Sequence, residues 1–319
     1  MTEIIIGIII GVFAILVLPF VISVHFAYVY TFGVTKSQRF PDPYRVVREG
    51  DPNAGFRKQL VDGILKEEFE EVKIRSRDGF MLCGKIKVIS KDAPFAIMCH
   101  GYRSSPFIDF SGGAPMAMRL GYNVLLIHQR AHAESEGKCL TFGVKESLDV
   151  ADWAKYINDT YGSDVILFGI SMGAATVLMC AGLPDLPECV KGAFADCPYS
   201  SAKEIIKLEM KARKMPCPPI LYFFARLGAR IFGGFDPNDS VPKESAMRAK
   251  IPLALVHGES DKLVPYSMSY EMHKAANIPL HSFKDATHGT AYIFEPERYE
   301  EIVADFCRRC LSKNNTKEV

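Results

Sequence analysis

Apolar and polar positions divide the chain into two unlike parts. From Ile4 to Tyr30 it reads IIIGIIIGVFAILVLPFVISVHFAYVY, and no Asp, Glu, Lys or Arg falls between Glu3 and Lys36. A helix rising about 1.5 Å per residue needs roughly 20 apolar residues to cross a bilayer core, so this run predicts one membrane-spanning helix within an anchor of residues 1–35. Pro19 would kink it tolerably, and Tyr28 and Tyr30 would sit at the interface. A cleaved secretory signal would want a basic leader and a small-residue cleavage site, whereas Met1-Thr2-Glu3 precedes the run and no Ala-x-Ala follows it.

After the run the texture changes. Residues 36–67 carry Pro41, Pro43 and Pro52 among mixed charges, which predicts a juxtamembrane linker with little regular structure. From residue 68, EEVKIRSRDGF and MLCGKIKVI predict a hairpin turning at Arg77-Asp78-Gly79. Short apolar runs at 95–100, 122–128 and 164–169 predict buried strands, and KGAFADC (191–197), IPLALVHG (251–258) and PLHSFKD (279–285) complete the strand series. Helical patterns lie between and after them, at SGGAPMAMRLG, 145–159, SMGAATVLMCA, 266–277 and 296–311. Strands alternating with helices predict an α/β domain over 68–312, with a mostly parallel, doubly wound sheet, followed by a tail at 313–319. Segment 198–250 breaks the rhythm and reads as an inserted helical cap. In it Ile220, Phe223, Phe224, Leu227 and Ile231 share one helical stripe. That stripe could pack on the core, line an acyl pocket through Phe223, Phe224 and Leu227, or touch a membrane.

Charge and composition narrow the function. The 319 residues hold 38 Lys+Arg and 37 Asp+Glu, a net charge of +1 that offers no domain-scale basic surface for nucleic acid. With 48% hydrophobic residues the chain is neither disordered nor a disulfide-dense scaffold. The local charge is more telling. Lys36, Arg39, Arg45, Arg48, Arg57 and Lys58 follow the apolar run, and the positive-inside bias then puts the body in the cytoplasm. Nine cysteines, odd in number and several inside apolar runs, suit reduced core thiols. Cys307 and Cys310 form a CxxC on a helical pattern, without the partner motifs of a zinc or redox site.

Candidate chemistry gathers at strand ends. Gly169-Ile170-Ser171-Met172-Gly173 is a GxSxG between an apolar strand and a helix, the context in which a serine is exposed on a sharp strand-to-helix turn. Serine needs a base, and the base an orienting acid. Glu259 and Asp261 follow the strand at 251–258, with Asp261 turning the chain into a helix, and His288 follows the last strand. The order Ser171, Asp261, His288 is that of a hydrolase triad. His281 within its strand and His273 within a helix read as structural. His100-Gly101-Tyr102 ends the strand whose loop supplies an oxyanion donor, so the backbone N–H groups of Tyr102 and Met172 are the expected oxyanion hole.

These motifs carry a resemblance. Over roughly residues 70–312 the chain resembles α/β-hydrolases of the serine-aminopeptidase-like and Bem46-like type, through HGYRSSP, HQRAHAESEGK, GISMGAAT, ADCPYSS, IPLALVHGESDKLVP and DATHG. The resemblance implies the same five positions: Ser171 as nucleophile, His288 as base, Asp261 as its acid, Tyr102 and Met172 at the oxyanion. One loop departs from it. Relatives read D-x-R-G-H-G-x-S where this chain has His128 through Ser135, with Ala131 and Ala133 in place of glycines, and structural roles are expected for His128 and His132. The reaction expected is hydrolysis of an acyl ester or thioester through an acyl-serine, with no metal or organic cofactor. Two other readings stay open: an aminopeptidase, with Asp196 or Glu204 meeting a free N-terminus, and a non-catalytic binding protein on the same fold.

Overall fold

The computed structural model describes residues 1–2, 4–6, 11 and 13–312; the expected tail at 313–319, and positions 7–10 and 12 of the apolar run, lie outside the described residues. Helix α1 is Leu18–Phe32, continuous with a π-helical turn at Phe13–Val17. Helix α2, Ala54–Lys66, lies where little regular structure was expected. The prolines at 41, 43 and 52 obscured it, because all three precede it and none interrupts it. Within it Phe56, Leu60 and Ile64 recur every fourth residue, and Val61 and Ile64 are fully buried.

Eight strands follow: β1 Glu70–Arg75, β2 Met81–Lys87, β3 Phe95–Cys99, β4 Asn123–Ile127, β5 Val165–Ile170, β6 Val190–Asp196, β7 Leu253–Gly258 and β8 Leu280–Phe283. They form one sheet in the order β1-β2-β4-β3-β5-β6-β7-β8. The hairpin and the β2–β4 pair are antiparallel, and every later pair is parallel. Strands β3, β4 and β7 are buried along their whole length, as runs without alternation require when both faces are covered. One face carries Trp153, Val177, Leu178 and Met272 from the helices after β4, β5 and β7. The other carries Ile64 of α2, Met116, Val303 and Phe306. Cys307 and Cys310 are buried on this second face, and none of the nine cysteines, all among the described residues, is in a disulfide.

The cap, with helices Ala202–Ala212, Pro218–Gly228 and Pro242–Arg248, meets α1 as well as the sheet. Helix 14–32 is the one described helix long and apolar enough to cross a membrane, yet its last turns are built into the body. Val24, Tyr28, Thr31 and Phe32 are buried. Gly228 permits the crossing of α1 with the cap helix, since a Cβ there would stand 2.6 Å from Tyr28 Cβ and 2.7 Å from the Val24 carbonyl. Phe32 meets Phe142 and Phe235 edge-on at 5.8 and 5.1 Å. Tyr28 therefore packs inside the protein and not at an interfacial belt. The cap stripe turns the same way: Phe224 lies 5.5 Å from Phe20, while Ile220, Phe223 and Ile231 are exposed.

Truncating a buried Phe costs roughly 3–5 kcal/mol. Phe32→Ala should therefore lower the unfolding temperature of the detergent-solubilised protein by several degrees; a helix that served only as a tether would leave it unchanged.

Candidate active site

Ser171 joins β5 to the helix Met172–Ala181 with φ +57° and ψ −116°, a conformation that L-residues adopt only when their surroundings enforce it. The surroundings are glycine-made. A Cβ on Gly169 would run into the Gly173 carbonyl, and one on Gly173 into the carbonyls of Cys99 and His100. The Ser171 N–H donates to the Asp196 carbonyl (2.8 Å), fastening the turn to the end of β6. Met172 is the first helical residue, so its N–H belongs to the first turn, which has no intrahelical acceptor, and the helix dipole favours negative charge there.

The loop after β3 stands against this turn, since a Cβ on Gly101 would lie 3.3 Å from Ser171 Cβ. Asp109, which sequence reasoning missed, holds the loop. Its carboxylate accepts from the Gly101 N–H (2.6 Å) and the Ser104 hydroxyl (2.7 Å). Burial pushes its carboxyl above the usual range, against the pull of those two bonds. Next along, the Tyr102 hydroxyl donates to the Thr31 carbonyl (2.9 Å), and Arg103 donates to the carbonyls of Tyr30 (2.8 Å) and Gly33 (2.7 Å). The candidate oxyanion loop is thus tied to the end of α1.

Asp261 and His288 meet directly, Nδ1 to Oδ2 at 2.7 Å. The other carboxylate oxygen accepts from the N–H groups of Leu263 (2.8 Å) and Val264 (3.0 Å). A second imidazole, also missed, lies on the same carboxylate: His257 Nε2 is 3.2 Å from Asp261 Oδ2 and 2.9 Å from the Val264 carbonyl. Two acceptors around Nε2 assign the proton to that nitrogen and leave Nδ1 to accept from the Ser269 hydroxyl (2.7 Å). Burial alone would raise the Asp261 carboxyl, but the hydrogen bonds from His257 and His288 outweigh it and hold the group well below the ordinary carboxylate range. The only hint of His257 in the sequence was its place at the end of an apolar strand, four residues before Asp261. Glu259, the other carboxylate there, is exposed.

Ser171 and His288 line one cavity of about 570 Å³, together with Tyr102 and Leu263, the apolar Met98, Phe110, Met116 and Phe168, and a wall from residues 45–60. Phe223, Phe224 and Leu227 are not among its lining residues. Phe224 meets Phe20 of the N-terminal helix, and Phe223 is exposed. Asp196 lines the cavity and accepts from the Tyr299 hydroxyl (3.1 Å), whereas Glu204 is exposed on the cap.

Cys197, Asp261 and His288 offer ligand atoms within 4.8 Å of one another, the one such group among the described residues. They fit a metal poorly. The 2.7 Å between Nδ1 and Oδ2 is a hydrogen-bond distance, shorter than the roughly 3.3 Å edge of a tetrahedron with 2.0 Å metal bonds. Burial also pushes the Cys197 thiol far up, away from the thiolate that a metal needs.

The divergent loop supports β3 from below. Arg130 is buried between Asp149 (2.8 and 2.6 Å) and Asp78 (3.0 Å). The Gln129 amide donates to the His100 carbonyl, and the rings of His100 and His132 meet edge-on at 4.7 Å. Burial brings His128 and His132 down to about 4, so both are neutral near pH 7. Ala131 and Ala133 hold φ of +64° and +43°, left-handed values at the two positions where the resemblance has glycine. Such alanines cost roughly 1 kcal/mol or more each.

A family model described as the alpha/beta hydrolase family matches residues 96–305. Among curated proteins, the uncharacterized YqkD of Bacillus subtilis (strain 168) is 27% identical over 257 residues, spanning 75% of this chain and 81% of that protein. The uncharacterized YfhR of Escherichia coli (strain K12) is 23% identical over 256 residues, spanning 77% and 83%. Among solved structures, the esterase Pf2001 of Pyrococcus furiosus is similar with a TM-score of 0.63 at 28% identity, covering 84% of this chain and 99% of that one.

Asp196 supplies a pH test. Burial pushes its carboxyl up to about 6, while the Tyr299 hydroxyl bond opposes the rise. An unfolded aspartate titrates near ~3.9, so ionising Asp196 in the fold costs stability that is absent at low pH and grows from about pH 4 to pH 6. Asp196→Asn removes that cost. Relative to wild type, its stability should rise by on the order of 1–3 kcal/mol between pH 4.5 and pH 7.5, read by denaturant unfolding; a constant offset would contradict it.

Proposed function

This chain belongs to the alpha/beta hydrolase family, and on that premise we propose that it is a serine hydrolase cleaving carboxylic esters or thioesters through an acyl-serine. The observation that carries the reading is the 2.7 Å His288–Asp261 contact, in the same cavity as a serine held at positive φ between two glycines that admit no side chain. The likeness to an esterase supports ester chemistry.

In this reading the ionised Asp261 keeps the proton on His288 Nδ1, leaving Nε2 as the base. As Ser171 Oγ attacks the substrate carbonyl, its proton passes to His288, and the imidazolium is stabilised by the buried carboxylate. The Tyr102 and Met172 N–H groups receive the oxyanion, each worth roughly 3–4 kcal/mol. His288 then returns the proton to the departing alcohol or thiol, and water repeats the sequence to release the acid. His257 is a positioning residue here, since it steadies Asp261 without reaching the cavity wall. Amide cleavage at a free N-terminus is the second reading, favoured by Asp196 in the cavity lining. Aminoacyl amides turned over faster than short acyl esters would promote it.

A fluorophosphonate probe should label the protein, and Ser171→Ala should abolish labelling; equal labelling of the variant would refute the nucleophile. We further propose that helix 14–32 is a retained anchor with the body in the cytoplasm, because burial of Tyr28 and Phe32 suits a helix that stays and not a leader that is removed. Protease applied to intact cells should spare the body and digest it after lysis. Loss of the body from intact cells would reverse the orientation.

A further inference from the structure

Three arginines of the segment between α1 and β1, Arg45, Arg48 and Arg57, line the cavity that holds Ser171. A basic flank that served only to orient the chain in a membrane would not need to face a cavity. Arg39 of the same flank does not: it donates to the carbonyls of Ala133 (2.7 Å) and Ser135. Arg45 spends one N–H on the Arg103 carbonyl (3.0 Å), and Arg57 one on Asp51 (2.8 Å). Arg45 and Arg48 are exposed, whereas Met98, Met116 and Phe168 are buried, so the cavity is cationic towards solvent and apolar at depth. The opposing charges are Asp51, paired with Arg57, Asp109, with both oxygens already accepting from Gly101 and Ser104, and Asp196, buried on Tyr299.

Guanidinium forks match carboxylate and phosphate oxygens in paired hydrogen bonds, and a cavity of about 570 Å³ is in the range for a small amphiphile. We infer that the substrate is an acyl ester or thioester bearing a phosphate or carboxylate on the part left outside the apolar pocket, where Arg45, Arg48 and Arg57 bind it. This rests on the hydrolase reading. A free ammonium group is disfavoured at such a mouth. The anionic group can belong to a lipid headgroup in the membrane or to a soluble acyl carrier, and both present the same oxygens.

The experiment uses full-length protein in neutral detergent and two matched pairs of eight-carbon substrates. The lipid pair is 1-octanoylglycerol 3-phosphate against 1-octanoylglycerol. The soluble pair is octanoyl-coenzyme A against the octanoyl thioester of N-acetylcysteamine. In at least one pair, kcat/KM should favour the anionic member by about tenfold or more, the scale of one charged hydrogen bond. That pair identifies the source. Arg45→Gln/Arg48→Gln/Arg57→Gln should cut the anionic-to-neutral ratio by about tenfold or more, chiefly through KM, and 0.5 M NaCl should compress it. Should the triple variant fold poorly, Arg48→Glu at an exposed position should lower the same ratio, and Arg308→Gln on the C-terminal helix should not. No anionic preference in either pair, or a ratio indifferent to the arginines, overturns the inference while probe labelling of Ser171 keeps the hydrolase reading intact. Absence of labelling overturns the hydrolase reading itself.

Discussion

The contact between Gly173 and the carbonyls at the end of β3 is the constraint on which the site depends. Helix N-termini and strand C-termini both present polar backbone, and here they approach until no Cβ fits between them. That approach sets Ser171 beside Gly101, where a Cβ would stand 3.3 Å from Ser171 Cβ. Everything else at the site is fastened to this junction: Asp196 by its carbonyl to the serine N–H, Asp109 by its carboxylate to Gly101, and the His100 carbonyl by the Gln129 amide. The proposed acid and base come from the other half of the sheet, and their geometry is kept by Asp261, whose buried carboxylate accepts hydrogen bonds on both oxygens.

How much of this was legible depends on whether the signal was local. Strands β3 to β7 announced themselves as apolar runs, since a strand covered on both faces has no polar alternation to conceal it, whereas β8 is a half-buried edge strand. Ser171, Asp261 and His288 were legible as residue types at strand ends. His257 and Asp109 were not. A histidine in a strand and an aspartate in a loop have no local mark, and they acquire a role only when the fold brings their partners within 3.2 Å. Helix α2 was hidden by neighbouring prolines, though its apolar spacing was there to be counted. The Phe223, Phe224 and Leu227 stripe was legible as a stripe, while its neighbour was not, because α1 and the cap lie some two hundred residues apart in the chain.

The segment between α1 and β1 is best understood as part of the body. It contributes a helix to one sheet face, a wall to the cavity and the Arg39 bonds that brace the divergent loop. The tolerance for left-handed alanines in that loop has its physical basis here. Buried ion pairs around Arg130, together with the carbonyl contacts of Arg39, over-determine a backbone that alanine by itself would avoid.

The bond from the Tyr102 hydroxyl to the Thr31 carbonyl joins α1 to the proposed oxyanion loop in a single step. A spanning helix tilts to match the thickness of its bilayer, and the carbonyls at its end move with it. For a chain anchored as proposed, the thickness of the surrounding lipid then becomes a mechanical variable felt at Tyr102, the proposed oxyanion donor itself. Cutting the chain after the apolar run, the ordinary route to a soluble enzyme, would remove the lever along with the grease.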